Sequence, residues 1–275
     1  MLETIHLLNY SLPVLYAVIF SVYLVDFFKD KPVLHNVKRI FLFVTLIIHT
    51  VYLLLWTIHF DHPPITTKFE IFTVLACSVA FSYFLIELSS DIRATGSFII
   101  LFSLVFQTIS SIFIQDLIDV PAVLKNRLLG LHVISALFGY AGITISAVYA
   151  ILFTVQYKKI KLNQFGLIFN RLPSLEMLEK LAVNSVIVGF ALLTIAILIG
   201  TIWLPSAFPN FSLLDPKLLS TAVVWLIYGV GIITRYTTGL YGKKFMIYSI
   251  TGFVAALIAL SITGILGSSF HQFNK

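Results

Sequence analysis

The chain has 275 residues, of which 59% are apolar and only 11% charged, and its mean hydropathy is +1.00. A soluble domain carries roughly a quarter charged residues, so composition excludes a soluble globular protein, and a formal net charge of +6 reads as membrane topology rather than nucleic-acid binding. The single cysteine, Cys77, sits in an apolar stretch, which excludes an internal disulfide or a Cys-x-x-Cys pair and leaves it as a packing residue.

In chain order, apolar stretches predict membrane spans near 7–27, 40–60, 69–88, 95–115, 129–156, 181–203, 217–235 and 245–268. Each is long enough to cross a hydrocarbon layer of about 30 Å at 1.5 Å per residue. Lys29-Asp30-Lys31-Pro32 closes the first, Asp61-His62-Pro63-Pro64 the second, and Asp215-Pro216 precedes the seventh. Met1-Leu2-Glu3-Thr4-Ile5-His6 lacks the basic start and small-residue cleavage site of a signal peptide, so the first stretch is expected to remain as a span. No span centre carries a charged side chain, in keeping with its cost of about 2.5–3.5 kcal/mol there. The expected fold is all-α: a polytopic transmembrane helical bundle of about eight spans, forming a single integral membrane domain over residues 1–275.

The basic residues orient it. Lys29, Lys31, Lys38, Arg39, Arg93, Lys158, Lys159, Lys161, Arg171, Lys180, Arg235, Lys243 and Lys244 fall on one set of loops, and Lys68, Lys125, Arg127, Lys217 and Lys275 on the other. The richer side is cytoplasmic by the positive-inside rule, so both termini face outward, in a cell (inner or plasma) membrane. The longest inner connection, 157–180, mixes apolar and charged residues (Phe165-Gly166-Leu167-Ile168-Phe169, then Arg171-Leu172-Pro173-Ser174-Leu175-Glu176), which predicts a segment at the interface with Ser174 as an N-cap.

Histidines cluster on the outer side. His132 begins span five, His271 follows span eight, His59 and His62 end span two, and His6 lies near the outer end of span one. Neutral imidazoles ligate metals, so an outer-face metal site is one reading, and hydrogen bonding to water and headgroups is the other. A porphyrin, an apolar plate with polar propionates at one edge, suits a membrane-boundary pocket with two imidazoles from different helices. Structural zinc sites use more closely spaced ligands. His49 lies ten residues inside His59, roughly 15 Å by helical rise, and reads as a buried imidazole bonded to a neighbouring helix. His62 either helps position the outer site or stabilises the turn beside Pro63-Pro64. Glu70 and Asp215 are boundary carboxylates, able to bond to ligand-ring nitrogens or to stay solvated.

Several segments together are similar to the cytochrome c assembly family, the CcsA/ResC and HemX group. They are His62-Pro63-Pro64-Ile65-Thr66 with Phe69-Glu70; His132-Val133-Ile134-Ser135-Ala136-Leu137-Phe138-Gly139-Tyr140; Arg171-Leu172-Pro173-Ser174-Leu175-Glu176; Gly189-Phe190-Ala191-Leu192-Leu193-Thr194; Gly200-Thr201-Ile202-Trp203; Asp215-Pro216-Lys217; Trp225-Leu226-Ile227-Tyr228; Thr234-Arg235; and Gly267-Ser268-Ser269-Phe270-His271. The resemblance runs in order over nearly the whole chain. It implies a membrane protein that receives b-type, non-covalent haem and holds it at the extracytoplasmic face for cytochrome c maturation. His132 and His271 are then the axial ligands, and Trp203, Phe208, Phe211, Asp215 and His62 surround the porphyrin. Implied partners are haem, the bilayer, a second assembly subunit and apocytochrome c, with no nucleic acid.

The chain also departs from the family pattern. Full synthases carry several tryptophans in the loop after span six and one before the aspartate, whereas Trp203 stands alone here and Leu214 precedes Asp215. Ile233 replaces a histidine that synthases place before Thr-Arg. Both departures point to the HemX-like branch and argue against autonomous cytochrome c synthase activity. No Gly-x-Ser-x-Gly elbow, phosphate loop or His-Glu-x-x-His motif appears, so the chain is not expected to be an enzyme by itself. Two alternatives to haem delivery remain: a HemX-type regulator of haem biosynthesis acting through basic cytoplasmic loops, and a small-solute transporter. The charge-free span centres weigh against the transporter.

Overall fold

The structure, a computed structural model, describes residues 1–29, 32–116, 120–207, 212 and 214–265. Among the described residues there are nine α-helices and one 3₁₀ turn (Ala122–Lys125). The helices are α1 (Leu2–Lys29), α2 (Pro32–Phe60), α3 (Lys68–Ser90), α4 (Gly96–Phe113), α5 (Arg127–Lys161), α6 (Leu167–Arg171), α7 (Leu175–Ala207), α8 (Pro216–Thr238) and α9 (Lys243–Ile265). Seven of these, α1–α5, α7 and α8, are long and apolar enough to cross a membrane. The 23-residue α9 lies where the sequence predicts the eighth span. The result is an all-helical polytopic bundle, as expected.

Helix ends follow local chemistry. Thr67 caps α3 by accepting from the Glu70 N–H at 3.1 Å, and the buried Glu70 carboxylate accepts in turn from Thr66 N–H and Oγ–H at 2.8 and 2.7 Å. This is a close variant of the capping box. Asp91 closes α3 with φ 53°, a left-handed value that Asp tolerates better than bulkier residues. Ser174 caps α7 as predicted, its Oγ accepting from Met177 N–H at 3.3 Å. α6 buries none of its residues and exposes Leu167 and Ile168, consistent with an interfacial segment.

The chain divides into two compact units. The first holds α1–α4, the 3₁₀ turn and α6; α1 packs on α2 and α4, and α3 on α4 and α2, closing a four-helix ring. Pro13 lies inside α1 and has no N–H to give the carbonyl of Asn9. Ser111 fills that gap, donating Oγ–H to Asn9 O at 2.7 Å, while Asn9 Nδ2 donates to the Ser111 carbonyl in the last turn of α4 at 3.2 Å. Two backbone acceptors that their helices leave open thus satisfy one another's side chains.

From Ser111 a directed polar chain crosses this bundle. Thr73 Oγ–H donates to Gln107 Oε1 (2.7 Å) and Gln107 Nε2 donates to Ser111 Oγ (3.0 Å). Because Thr73 spends its one proton on Gln107, the 2.9 Å contact with His49 Nε2 requires an Nε2–H donor. Nδ1 of His49 then accepts from Tyr16 O–H at 2.9 Å. His49 is wholly buried with both nitrogens engaged by neighbouring helices, which bears out the sequence reading of it.

At the opposite end of the same unit, α2 begins at Pro32 rather than near residue 40, so Lys38 and Arg39 are helical rather than loop residues. Lys38 is fully buried and donates to Asp26 Oδ2 at 2.6 Å and to Arg93 O at 2.8 Å. Arg39 meets Asp91 at 2.8 Å and Glu87 at 3.4 Å, and Tyr23 O–H donates to Glu87 at 2.5 Å. Burial of charges at span ends is tolerated because each is paired.

The second unit holds α5, α7, α8 and α9. Here α5 packs on α7 and α9, and α8 on α9 and α7, closing a second ring of four. The α5–α7 contact is the most extensive, and glycines make it close. A Cβ on Gly142 would lie 2.8 Å from the Gly189 Cα, and one on Gly189 2.8 Å from the Gly139 carbonyl oxygen. Small residues at such crossings let helix backbones touch where no hydrophobic effect drives association. Arg235 of α8 ties this unit's other end, donating to Glu179 at 2.8 Å and stacking 4.8 Å from the Tyr241 and Phe245 rings.

Candidate functional site

The candidate residues fall in different places. His132, Trp203 and Asp215 belong to the second unit and His62 to the first. His271, Phe208 and Phe211 lie outside the described residues.

His132 stands in the second turn of α5 and packs against α7. Its Nδ1 lies 2.6 Å from the carbonyl oxygen of Ala196. A carbonyl only accepts, so Nδ1 carries a proton and Nε2 is the nitrogen turned away from this bond. The ring rests on Gly200, where a Cβ would come within 2.8 Å of Nδ1. Ala196, Gly200 and Trp203 recur at helical spacing, which puts them on one stripe of α7. Ala196 and Trp203 are buried at 1% and 3% exposure, while His132 is half-buried. Trp203 therefore sits one turn beyond the imidazole on the face of α7 that meets α5. Asp215 is buried at the start of α8, where its carbonyl accepts from Leu219 N–H at 3.0 Å.

His62 is 1% exposed, with Nδ1 3.0 Å from the carbonyl of Pro63 in its own turn. Glu70 is neither solvated nor spent on a ligand ring; its carboxylate serves Thr66. His6 is exposed and meets Asp116 at 2.8 Å. Outside the spans, Lys125 at 2.7 Å holds the Asp61 carboxyl below its ordinary range, and Arg93 and Arg39 do the same for Asp91. Ile233, where the family pattern has histidine, is 61% exposed on the outside of α8.

Sequence reasoning missed Ala196 and Gly200. Gly200 stood within a quoted motif, but a backbone acceptor has no residue-type signature. Among the described residues no cluster of three or more His, Cys, Asp or Glu could hold a metal ion by itself. A single imidazole over a helix face does not fit a structural zinc site. It does fit one axial side of a planar macrocyclic ligand, for which one imidazole per face suffices.

Repeated apolar helices with a backbone-oriented histidine at a helix end define a polytopic α-helical membrane protein with a candidate site at the membrane boundary. Comparison with known proteins gives the kin. The chain belongs to the Cytochrome C assembly protein family, whose model matches residues 7–271. It is 25% identical over 266 residues to Protein HemX of Brevibacillus brevis, covering 94% of either chain. It is 24% identical over 277 residues to Protein HemX of Bacillus subtilis (strain 168), covering 97% of either chain. To Cytochrome c biogenesis protein CcsA of Mesostigma viride it is 25% identical over 236 residues, covering 77% of either chain.

Proposed function

We propose that this chain binds non-covalent b-type haem at the extracytoplasmic face of the cell membrane and holds or delivers it for cytochrome c maturation. The observation that carries the reading is the His132 imidazole. Its Nδ1–H is committed to the Ala196 carbonyl, so Nε2 is the atom that ligates. Family membership over residues 7–271 supplies the context.

In this reading His132 and His271 are the axial ligands. Trp203, Phe208 and Phe211 lie against the porphyrin, and Asp215 supports the outer face. Haem supplies an iron that accepts two imidazoles and an apolar plate that partitions to the membrane boundary. The chain supplies orientation: a fixed tautomer at His132 and a tryptophan held on the α7 stripe. With Leu214 rather than tryptophan before Asp215, it works with a second assembly subunit and apocytochrome c rather than as a synthase by itself.

One observation favours regulation of haem synthesis as a second reading. Lys158, Lys161, Lys180, Lys243 and Lys244 are all exposed at the helix ends assigned to the cytoplasm, a surface suited to an acidic soluble partner.

The test is an absorption spectrum of detergent-purified protein, oxidised and reduced, for wild type, His132→Ala and His271→Ala. Sharp reduced-state bands that weaken or shift in each single variant support the bis-histidine reading. A colourless protein from haem-replete cells, or a haem signal indifferent to both substitutions, refutes it.

A further inference from the structure

We propose that Gly200 and the carbonyl of Ala196 are positioning residues that fix the ligating nitrogen of His132, and that position 200 is glycine for this reason. The inference rests on the haem reading above and adds the groups that tune its ligand.

The geometry follows from how helices cover their own carbonyls. In a continuous helix the carbonyl of residue 196 already accepts from the N–H of residue 200, and its second lone pair points out between neighbouring side chains. The side chain at i+4 stands beside that lone pair, so a small residue there leaves room for a bulky outside donor such as an imidazole ring. His132 Nδ1 makes this approach at 2.6 Å, and a Cβ at residue 200 would stand 2.8 Å from Nδ1 and 2.9 Å from Cε1. Both are closer than a side chain can come, and the atoms met belong to a stiff ring rather than a flexible tip. Any residue but glycine pushes the imidazole off the carbonyl.

The same unit builds this arrangement a second time, without a metal-ligating atom. Tyr248 O–H donates to the carbonyl of Ile227, and the residue four further on, Gly231, is the one whose Cβ would meet the Tyr248 ring. The two sites separate the structural part of the device from its ligand-tuning part. At Tyr248 it only joins α8 to α9. At His132 it also selects the tautomer, and a carbonyl that accepts Nδ1–H makes Nε2 a more basic ligand.

The experiment has two arms on the full-length, detergent-purified chain. In haem-free protein with ¹⁵N-labelled histidine, the His132 signals are assigned by their loss in His132→Gln. Wild type is expected to show protonated Nδ1 and unprotonated Nε2, and an Nε2–H tautomer overturns the proposal. In the haem-loaded chain, Gly200→Ala is expected to raise the haem midpoint potential and weaken haem affinity by roughly 10- to 100-fold, while Gly231→Ala moves neither. Equal effects from both glycines, or an unchanged potential in Gly200→Ala, also overturn it. Should Gly200→Ala fail to fold, the tautomer measured in wild type still decides. If His132→Ala leaves the haem spectrum intact, it is the haem reading that fails, and the tautomer result stands apart from it.

Discussion

Replacing Lys38 by methionine keeps the length and apolar stem of the side chain and removes only its charge. The ammonium is wholly buried, lies 2.6 Å from Asp26 Oδ2, and donates also to Arg93 O at 2.8 Å. At 2.6 Å an effective dielectric of about 20 gives an attraction of about 6 kcal/mol, set against a desolvation cost of several kcal/mol per ion. The net value of the pair is therefore small, but the value of either member once the other is present is not. Lys38→Met strands the 5%-exposed Asp26 carboxylate and is expected to cost about 3–5 kcal/mol, whereas Asp26→Leu with Lys38→Met returns to within about 1–2 kcal/mol of wild type. His35 Nε2, 3.4 Å from Asp26 Oδ1, softens the first loss only when protonated. The assay is denaturant unfolding in detergent micelles followed by far-ultraviolet circular dichroism, run as a double-mutant cycle. A cost below about 1 kcal/mol for Lys38→Met, or a double variant weaker than both singles, refutes the buried-pair argument.

Gly189→Leu forces a side chain into the Gly139 backbone and is expected to cost at least about 1–3 kcal/mol, read as a lower melting temperature in detergent. Ser111→Ala strands the Asn9 carbonyl beneath Pro13 and is expected to cost about 1–3 kcal/mol, whereas Ser89→Ala, an exposed side chain bonded within its own turn, changes the same unfolding curve little. His49→Leu breaks the Tyr16 and Thr73 bonds and lowers stability; under the proposed haem binding it leaves the spectrum unaltered, and loss of the haem bands would make it a ligand. Asp61, held below its ordinary range by Lys125, has a depressed folded-state value. Its stabilising contribution is present above the unfolded value and lost as pH falls through the folded one. Lys125→Met should move the Asp61 carboxyl titration, followed by ¹³C NMR, upward toward the ordinary range.

The fold was legible because its cause is written in composition. Among the described residues every predicted span falls on a helix, since a run of about 20 apolar residues has few other stable forms in a bilayer. The ends were less legible: Lys38 and Arg39 look like loop residues, and only their partners Asp26, Glu87 and Asp91, all on other segments of the chain, explain how they are accommodated within α2. Ser174 could be read because an N-cap is local. The pairing of Asn9 with Ser111 could not, because it depends on a proline removing one donor and on which helix lies beside it. The candidate site could be named from its side chains and not from its backbone. His132 was a candidate by type and position, whereas the carbonyl of Ala196 is an acceptor every residue carries.

Three histidines show why residue type alone cannot settle a ligand. His49 has both nitrogens engaged inside a sealed bundle, so a metal would have to break two hydrogen bonds and open the core. His62 has the same proton position as His132, Nδ1–H on a carbonyl, but that carbonyl is in the adjacent residue and the side chain is 1% exposed. Its tautomer suits a ligand, while its burial suits a turn. His132 draws its acceptor from a different helix and keeps the ring half-buried at a helix end. A ligand needs both a committed far nitrogen and a near nitrogen that a large planar molecule can approach. Of these three, His132 has its far nitrogen committed to a different helix, and glycine at position 200 is what lets the ring lie against α7 there.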